Sequence, residues 1–192
     1  GKSTLFNRVT GAEVMAKDML FATLDPTMRK LDLPDGPEII LSDTVGFISD
    51  LPTQLVAAFR ATLEEVLGAD LILHVRDISH AQTEEQAKDV HKILQELGVG
   101  KETAHLEVWN KLDLLEASDR DTALVLADRS ENVHLVSAFT GEGIDRLLDA
   151  VRAVLTAKQI EETLSLAFED GKKRAWLYEE GVISSETQTD TG

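Results

Sequence analysis

Not one cysteine occurs in the 192 residues, which excludes disulfide cross-links and thiolate metal sites. That fits a reducing compartment, and a cytoplasmic protein is expected. No apolar run approaches the roughly 20 residues that a membrane-spanning helix needs, and no signal-peptide pattern is present. A starting Met is also lacking, so residue 1 is not expected to be a native start. Basic residues are scarce: 19 Lys and Arg stand against 35 Asp and Glu, for a formal net charge of -16 and a pI near 4.6. A broad electrostatic grip on nucleic acid needs clustered Lys and Arg. Only "MRK" at 28–30 and "GKKR" at 171–174 offer local candidates, and each reads as solvated surface. What is present is enough apolar material, 43% of residues, to bury one domain of ordinary size with a small appendage.

Strand-like and helix-like segments alternate. "EIILSD" (38–43), "DLILHVRD" (70–77), "HLEVWN" (105–110) and "NVHLVS" (132–137) are short, rich in Leu or β-branched residues, and bounded by turn residues. They read as buried strands of a largely parallel sheet. "MRKLDL" (28–33), "PDGP" and "EIILSD" together predict an antiparallel hairpin. Helices are expected over 81–97, where Ala87, Val90, Leu94 and Leu97 recur at helical spacing opposite Glu84, Glu85, Lys88 and Asp89. A second is expected over 143–157, from the stripe Ile144, Leu147, Leu148, Val151, Val154 and Leu155. This alternation is the mark of an α/β sandwich. Near residue 158 the character changes: "TLSLAF" (163–168) suggests another strand, "DGKKRAWLYEEG" (170–181) a short helix, and "ISSETQTDTG" a polar end.

Four short motifs carry chemistry. "GKST" (1–4) supplies in Gly1, Lys2 and Ser3 the last three positions of the phosphate-loop pattern G-x-x-x-x-G-K-[ST], with Thr4 next to them. Backbone N–H groups at a helix start bind anionic oxygens, a Lys ammonium reaches the terminal phosphates, and a hydroxyl holds Mg²⁺. "DTVG" places Asp43, Thr44, Val45 and Gly46 after a strand. A carboxylate there holds Mg²⁺, and Gly46 lets a backbone N–H approach a γ-phosphate. "NKLD" (Asn110, Lys111, Leu112, Asp113) also follows a strand. The Asp113 carboxylate suits guanine N1–H and its exocyclic amine, donors that adenine lacks on that edge. Asn110 is placed to bridge to the phosphate loop, and the Lys111 stem to cover the base. "SAF" (Ser137, Ala138, Phe139) offers a backbone N–H for guanine O6. Each motif alone has a blander reading as a helix start, a turn or a cap. All four lie in order at the carboxyl ends of strands, where open α/β sheets bind ligands, and together they predict a guanine-nucleotide site.

With these residues in hand, the stretch "LFATLDPTMRKLDLPDGPEIILSDTVGFISDLPTQLVAAFRATLEEV" resembles the HflX family of ribosome-associated GTPases, within the translation-factor-like branch of P-loop GTPases. The resemblance covers 1–157 and extends more loosely over 158–192. It implies a P-loop GTPase (G domain) three-layer α/β sandwich over 1–157, with the start of a small C-terminal α+β domain over 158–192. It further implies phosphate binding by Lys2, Mg²⁺ ligands at Ser3, Thr23 and Asp43, and catalytic roles for Lys2, Thr23 and Gly46. "LFATLD", with Phe21, Ala22, Thr23, Leu24 and Asp25, would be the first switch. Thr23 and Thr27 both offer a hydroxyl and a carbonyl; the family pattern favours Thr23. "DTVGFISDLP" would be the second switch, with a helix over about 53–67 reporting nucleotide state. GTP and GDP are the implied substrate and product, the large (50S) ribosomal subunit the implied partner, splitting of stalled or idle ribosomes the implied role, and a monomer the expected state.

Phe47 stands where Ras-like GTPases carry a Gln that orients the attacking water; Phe has no donor or acceptor. Slow unassisted hydrolysis, completed by a partner, is therefore expected. The first positions of the phosphate loop and the strand before it are expected upstream of Gly1. Without that central strand the segment is expected to fold marginally and bind GTP poorly, to be checked by nucleotide titration against a chain extended upstream. Two other readings stand beside this one: a nucleotide-gated binding module that barely hydrolyses, and a related GTPase of ribosome assembly or tRNA modification. Asp113 disfavours an ATPase or small-molecule kinase. The five His (74, 80, 91, 105, 134) show no metal-ligand spacing and are expected in core or surface roles. Trp109 is expected to pack rather than stack on a base, and Trp176 and Tyr178 to be covered by further chain.

Overall fold

β4 (Ala104–Asn110) shows how the sequence divides the molecule into layers. Leu106, Val108 and Asn110 are buried on one face, and His105, Glu107 and Trp109 alternate onto the other. It is the middle strand of a parallel sheet, flanked by β3 (Leu71–Asp77) and β5 (Val133–Leu135). β3 pairs in unbroken register from Leu71↔Ala104 to Asp77↔Asn110. The computed structural model describes residues 1–13, 27–44, 66–100, 103–157, 163–167, 169–180, 182–183 and 185–188. They fall into two compact units, Gly1–Lys158 and Gln159–Gly192.

In the first unit, α1 (Lys2–Thr10) and α4 (Ile144–Thr156) cover the Leu106/Val108 face. Leu5, Ile144, Leu147 and Val151 join Leu106, Val108, Val136 and Ala138 in one buried cluster. α2 (Thr83–Glu96) lies on the opposite face, with Ala87 and Leu94 buried. Helix, sheet and helix make the three layers expected of an α/β sandwich. β1 (Thr27–Asp32) and β2 (Glu38–Asp43) form the predicted antiparallel hairpin, from Thr27↔Asp43 to Asp32↔Glu38. α4 starts at Gly143, whose φ of 78° and close approach to the Leu135 carbonyl leave no room for a Cβ.

Three expectations need correction, and one element was not anticipated. β2 is not a buried strand of the parallel sheet. Among the described residues it pairs with β1 alone, in a separate two-stranded sheet, so its faces alternate: Ile39 packs on the core and Ile40 is exposed. The fourth strand is shorter than 132–137, since the chain turns away after Leu135 to build the Ser137–Phe139 loop. Residues 163–167 form no strand, having no strand to pair with among the described residues. Finally, α3 (Ala117–Asp128) is an additional helix. Its run Leu124-Val125-Leu126 is exposed, which hides it from a search for an amphipathic stripe.

In the second unit, α5 (Gly171–Glu179) is the one helix among the described residues, and it buries no side chain. It is tied to the segment after it by polar contacts. The Arg174 guanidinium donates to both Glu186 carboxylate oxygens, at 2.7 and 3.0 Å, and the Tyr178 hydroxyl donates to the same carboxylate. Trp176 and Tyr178 are exposed.

The α2-facing side of the sheet is unusually polar for an interior. Arg76 is buried between Glu84 and Glu107, at 2.5 and 2.8 Å, and its guanidinium lies 5.2 Å from the centre of the Trp109 ring. Trp109 therefore packs on Arg76 as an amphipathic wall, donating its indole N–H to Glu107. Beside this pair, burial pushes His74 down to about 4. Glu107 opposes that shift, and His105, His91 and Arg76 add to it. Burial and His91 also lower His105, and burial lowers His134. A depressed imidazole stabilises the fold while it is neutral. That stability is fully present above about pH 6.5 and is lost as pH falls towards 4, about 3 kcal/mol for His74 alone. Urea unfolding in chelator, from pH 7.5 down, is expected to show this loss, and His74→Gln to flatten it. A stability flat between pH 7 and 4.5 would contradict the assignment.

Candidate nucleotide site

Gly1 caps α1, placing Lys2, Ser3 and Thr4 in its first turn. The N–H groups of a helix's first turn and the helix dipole favour an anion. Asp43, at the end of β2, is buried and faces this turn. Ser3 Oγ donates to Asp43 Oδ2 at 2.6 Å. Lys2 Nζ pairs with Asp43 Oδ1 and also donates to the Thr44 carbonyl. Hydroxyl and carboxylate side by side make a hard-oxygen donor set, the kind that Mg²⁺ takes. Thr27 sits directly across the hairpin from Asp43.

The second half of the site is built by Asn110, at the end of β4, and it is fully enclosed. Its Oδ1 accepts the Ala138 N–H at 2.9 Å, and its Nδ2 donates to the Gly1 carbonyl at 3.5 Å. One side chain thus ties the helix start to the loop after β5. Lys111 then adopts a left-handed φ of 72°, turning the chain so that Leu112 is buried and Asp113 is exposed in a short 3₁₀ turn, Leu112–Leu114. Ser137 Oγ donates to Asp113 Oδ1 at 2.5 Å and accepts the Thr140 N–H at 3.0 Å. The carboxylate is thereby fixed beside the Ala138 backbone. Phe139 is exposed at the rim.

The structure brings Gly1, Lys2, Ser3, Thr4, Asp43 and Thr44 together at one end of α1. It brings Asn110, Lys111, Leu112, Asp113, Ser137, Ala138 and Phe139 together alongside, with Asn110 as the link. Phe21, Ala22, Thr23, Leu24, Asp25, Val45, Gly46 and Phe47 lie outside the described residues.

Two supports escaped the motif search. Arg8 Nε donates to the Ala138 carbonyl at 3.1 Å, and its guanidinium also reaches the Phe139 carbonyl, clamping that loop onto α1. Thr4, Asn7, Arg8, Ala138 and Phe139 line a groove along this clamp. Asp77, at the end of β3, pairs with Lys111 Nζ at 2.7 Å and accepts from Ser79. Burial raises the Asp77 pKa, but Lys111 and Ser79 outweigh it and hold the carboxyl below its usual value. No sequence motif marks either residue; each works through a partner more than 30 positions away.

A phosphate-type helix start, a buried carboxylate at the end of a strand and a base-type loop pair, in this order on an α/β sheet, define a P-loop GTPase domain. Solved structures agree on the fold. SsGBP variant G235S superposes with a TM-score of 0.66 at 26% identity, covering 84% of this chain and 54% of that one. Era from Aquifex aeolicus superposes with a TM-score of 0.61 at 22% identity, covering 88% and 56%. A family profile described as "50S ribosome-binding GTPase" matches residues 1–111, and one described as "HflX C-terminal domain" matches 123–192. The GTPase HflX of Magnetococcus marinus is 48% identical over 186 residues, 95% of this chain and 41% of that protein. That of Escherichia coli is 42% identical over 196 residues, 100% and 45%. The chain belongs to the HflX family of GTPases. It spans under half the length of these curated relatives. The second profile begins inside α3 and takes in β5 and α4, both of which lie within the first compact unit.

Proposed function

We propose that this chain carries the nucleotide switch of a GTP-hydrolysing protein that works on the large ribosomal subunit and helps to dissociate or recycle stalled ribosomes. One observation carries the reading: Asn110 links the Gly1 end of α1 to the loop that carries Ala138, beside the Ser137–Asp113 pair. A triphosphate at the helix start and a guanine on Asp113 would then be held by one connected frame. Lys2 would bind the terminal phosphates, with Thr4 and the first-turn N–H groups around the others. Ser3 and Asp43, with Thr23 from the first switch, would hold Mg²⁺, which when bound neutralises phosphate charge. Gly46 would offer its backbone N–H to the γ-phosphate. Residues 1–157 would form the GTPase domain and 158–192 the start of the C-terminal domain, in a monomer of the cytoplasm.

Phe47 itself can offer an attacking water no hydrogen bond, so the ribosomal subunit would complete the site. Multiple-turnover phosphate release by the full-length protein is expected to rise about tenfold or more when large subunits are added, as partner-completed GTPase sites do. Full-rate hydrolysis without any partner would contradict this reading. Phe47 also favours a second one, a nucleotide-gated binding module that barely hydrolyses. The same assay separates them, since that module would stay slow with ribosomes present.

A further inference from the structure

Three histidines from three elements converge on the face of the sheet opposite α1: His74 on β3, His105 on β4 and His91 on α2. Their ring centres lie 5.4 to 5.8 Å apart, and one nitrogen from each falls within 4.8 Å of the other two. His74 is 8% exposed and its Nδ1 has no hydrogen-bond partner; nor does the buried Nε2 of His105. A buried imidazole nitrogen without a partner is costly, and two on neighbouring rings invite one explanation. The third ring supplies it. His91 Nδ1 lies 2.9 Å from the Ala87 carbonyl, an acceptor, which places its proton on Nδ1 and leaves the Nε2 lone pair for a ligand. That is the arrangement second-shell carbonyls impose on metal-binding histidines.

We propose that His74, His91 and His105 bind a divalent transition ion of the zinc class. Three neutral imidazoles suit Zn²⁺ and its borderline neighbours, whereas Mg²⁺ takes oxygen ligands. Metal–nitrogen bonds of about 2.0–2.1 Å hold three ligand nitrogens inside the 4.8 Å that already contains these three. Glu107, the carboxylate whose charge acts on His74 and His105, is held by Arg76 and Trp109, so water takes the fourth position. Arg76 beside the site is balanced by Glu84 and Glu107. His91 is exposed and gives the ion its entry path. The site is separate from Lys2, Ser3 and Asp43 in position and in ligand type.

The test uses untagged full-length protein, stripped with chelator and saturated with Mg²⁺ and GDP, then titrated with Zn²⁺ by equilibrium dialysis and with Co²⁺ by visible absorption. One ion per chain is expected, with a tetrahedral Co²⁺ spectrum and a Tm raised by Zn²⁺. His91→Ala, at an exposed helix position, and His105→Gln are each expected to weaken binding about tenfold or more and to abolish the Tm rise. His134→Gln is expected to leave both unchanged. No saturable uptake at micromolar metal, or binding by His91→Ala equal to the parent's, would overturn the site.

Discussion

Asp113→Asn is expected to turn a guanosine-nucleotide site into one that prefers xanthosine nucleotides. In the proposed pose the carboxylate would accept from both guanine N1–H and the 2-amino group; an amide would present an NH₂ that meets that amine donor to donor. Xanthine carries a carbonyl at position 2, which the NH₂ satisfies. The surroundings favour a clean exchange. Ser137 Oγ donates to Asp113 Oδ1, so in the variant the amide oxygen keeps that bond and the NH₂ takes the place of Oδ2. Sites built to hydrogen-bond a ligand reject the analogue lacking the bond by roughly 10⁴-fold, and the ratio of GDP to XDP affinity is expected to swing by about that factor. Competition against a fluorescent nucleotide measures it. An unchanged ratio would place the base elsewhere.

Asn110→Ala should have the largest effect on the frame itself. The side chain is 2% exposed, and its removal leaves the Ala138 N–H buried without an acceptor and opens a cavity. An orphaned buried donor costs about 1–3 kcal/mol, and with the cavity the total reaches about 2–4 kcal/mol. In a protein of this size that lowers Tm by about 5–15 °C. Nucleotide binding is expected to weaken beyond this, because the helix start and the base loop lose their shared tie. Calorimetry and nucleotide titration read the two effects separately; a Tm within 1 °C of the parent's would show that Asn110 holds nothing together.

Much of this site was legible because its chemistry is local. Gly1-Lys2-Ser3 opens a helix, Asn110 ends a strand and Asp113 follows it by three residues, and Ser137-Ala138 begins a turn; backbone geometry over three or four residues decides where each points. The β1–β2 hairpin was legible for the same reason, through its Pro and Gly turn. What escaped depends on convergence across the fold. Arg8 meets the Phe139 carbonyl 131 positions away. Asp77 meets Lys111 only because β3 and β4 are in parallel register. The histidines at 74, 91 and 105 show no ligand spacing in sequence, since two lie on neighbouring strands and the third descends from the helix that crosses them. α3 escaped because its Leu124-Val125-Leu126 run lacks the spacing of a buried stripe. β2 read as buried because its Ile39-Ile40-Leu41 run does not reveal that Ile40 points outward.

The central claim is that the Asp113 loop chooses guanine for a triphosphate held at the start of α1. Displacement of a fluorescent guanosine nucleotide from the full-length protein by unlabelled GDP and ADP tests it most directly. GDP is expected to compete stoichiometrically and ADP to fail at about a thousandfold excess; displacement by ADP at concentrations like those of GDP would contradict the account.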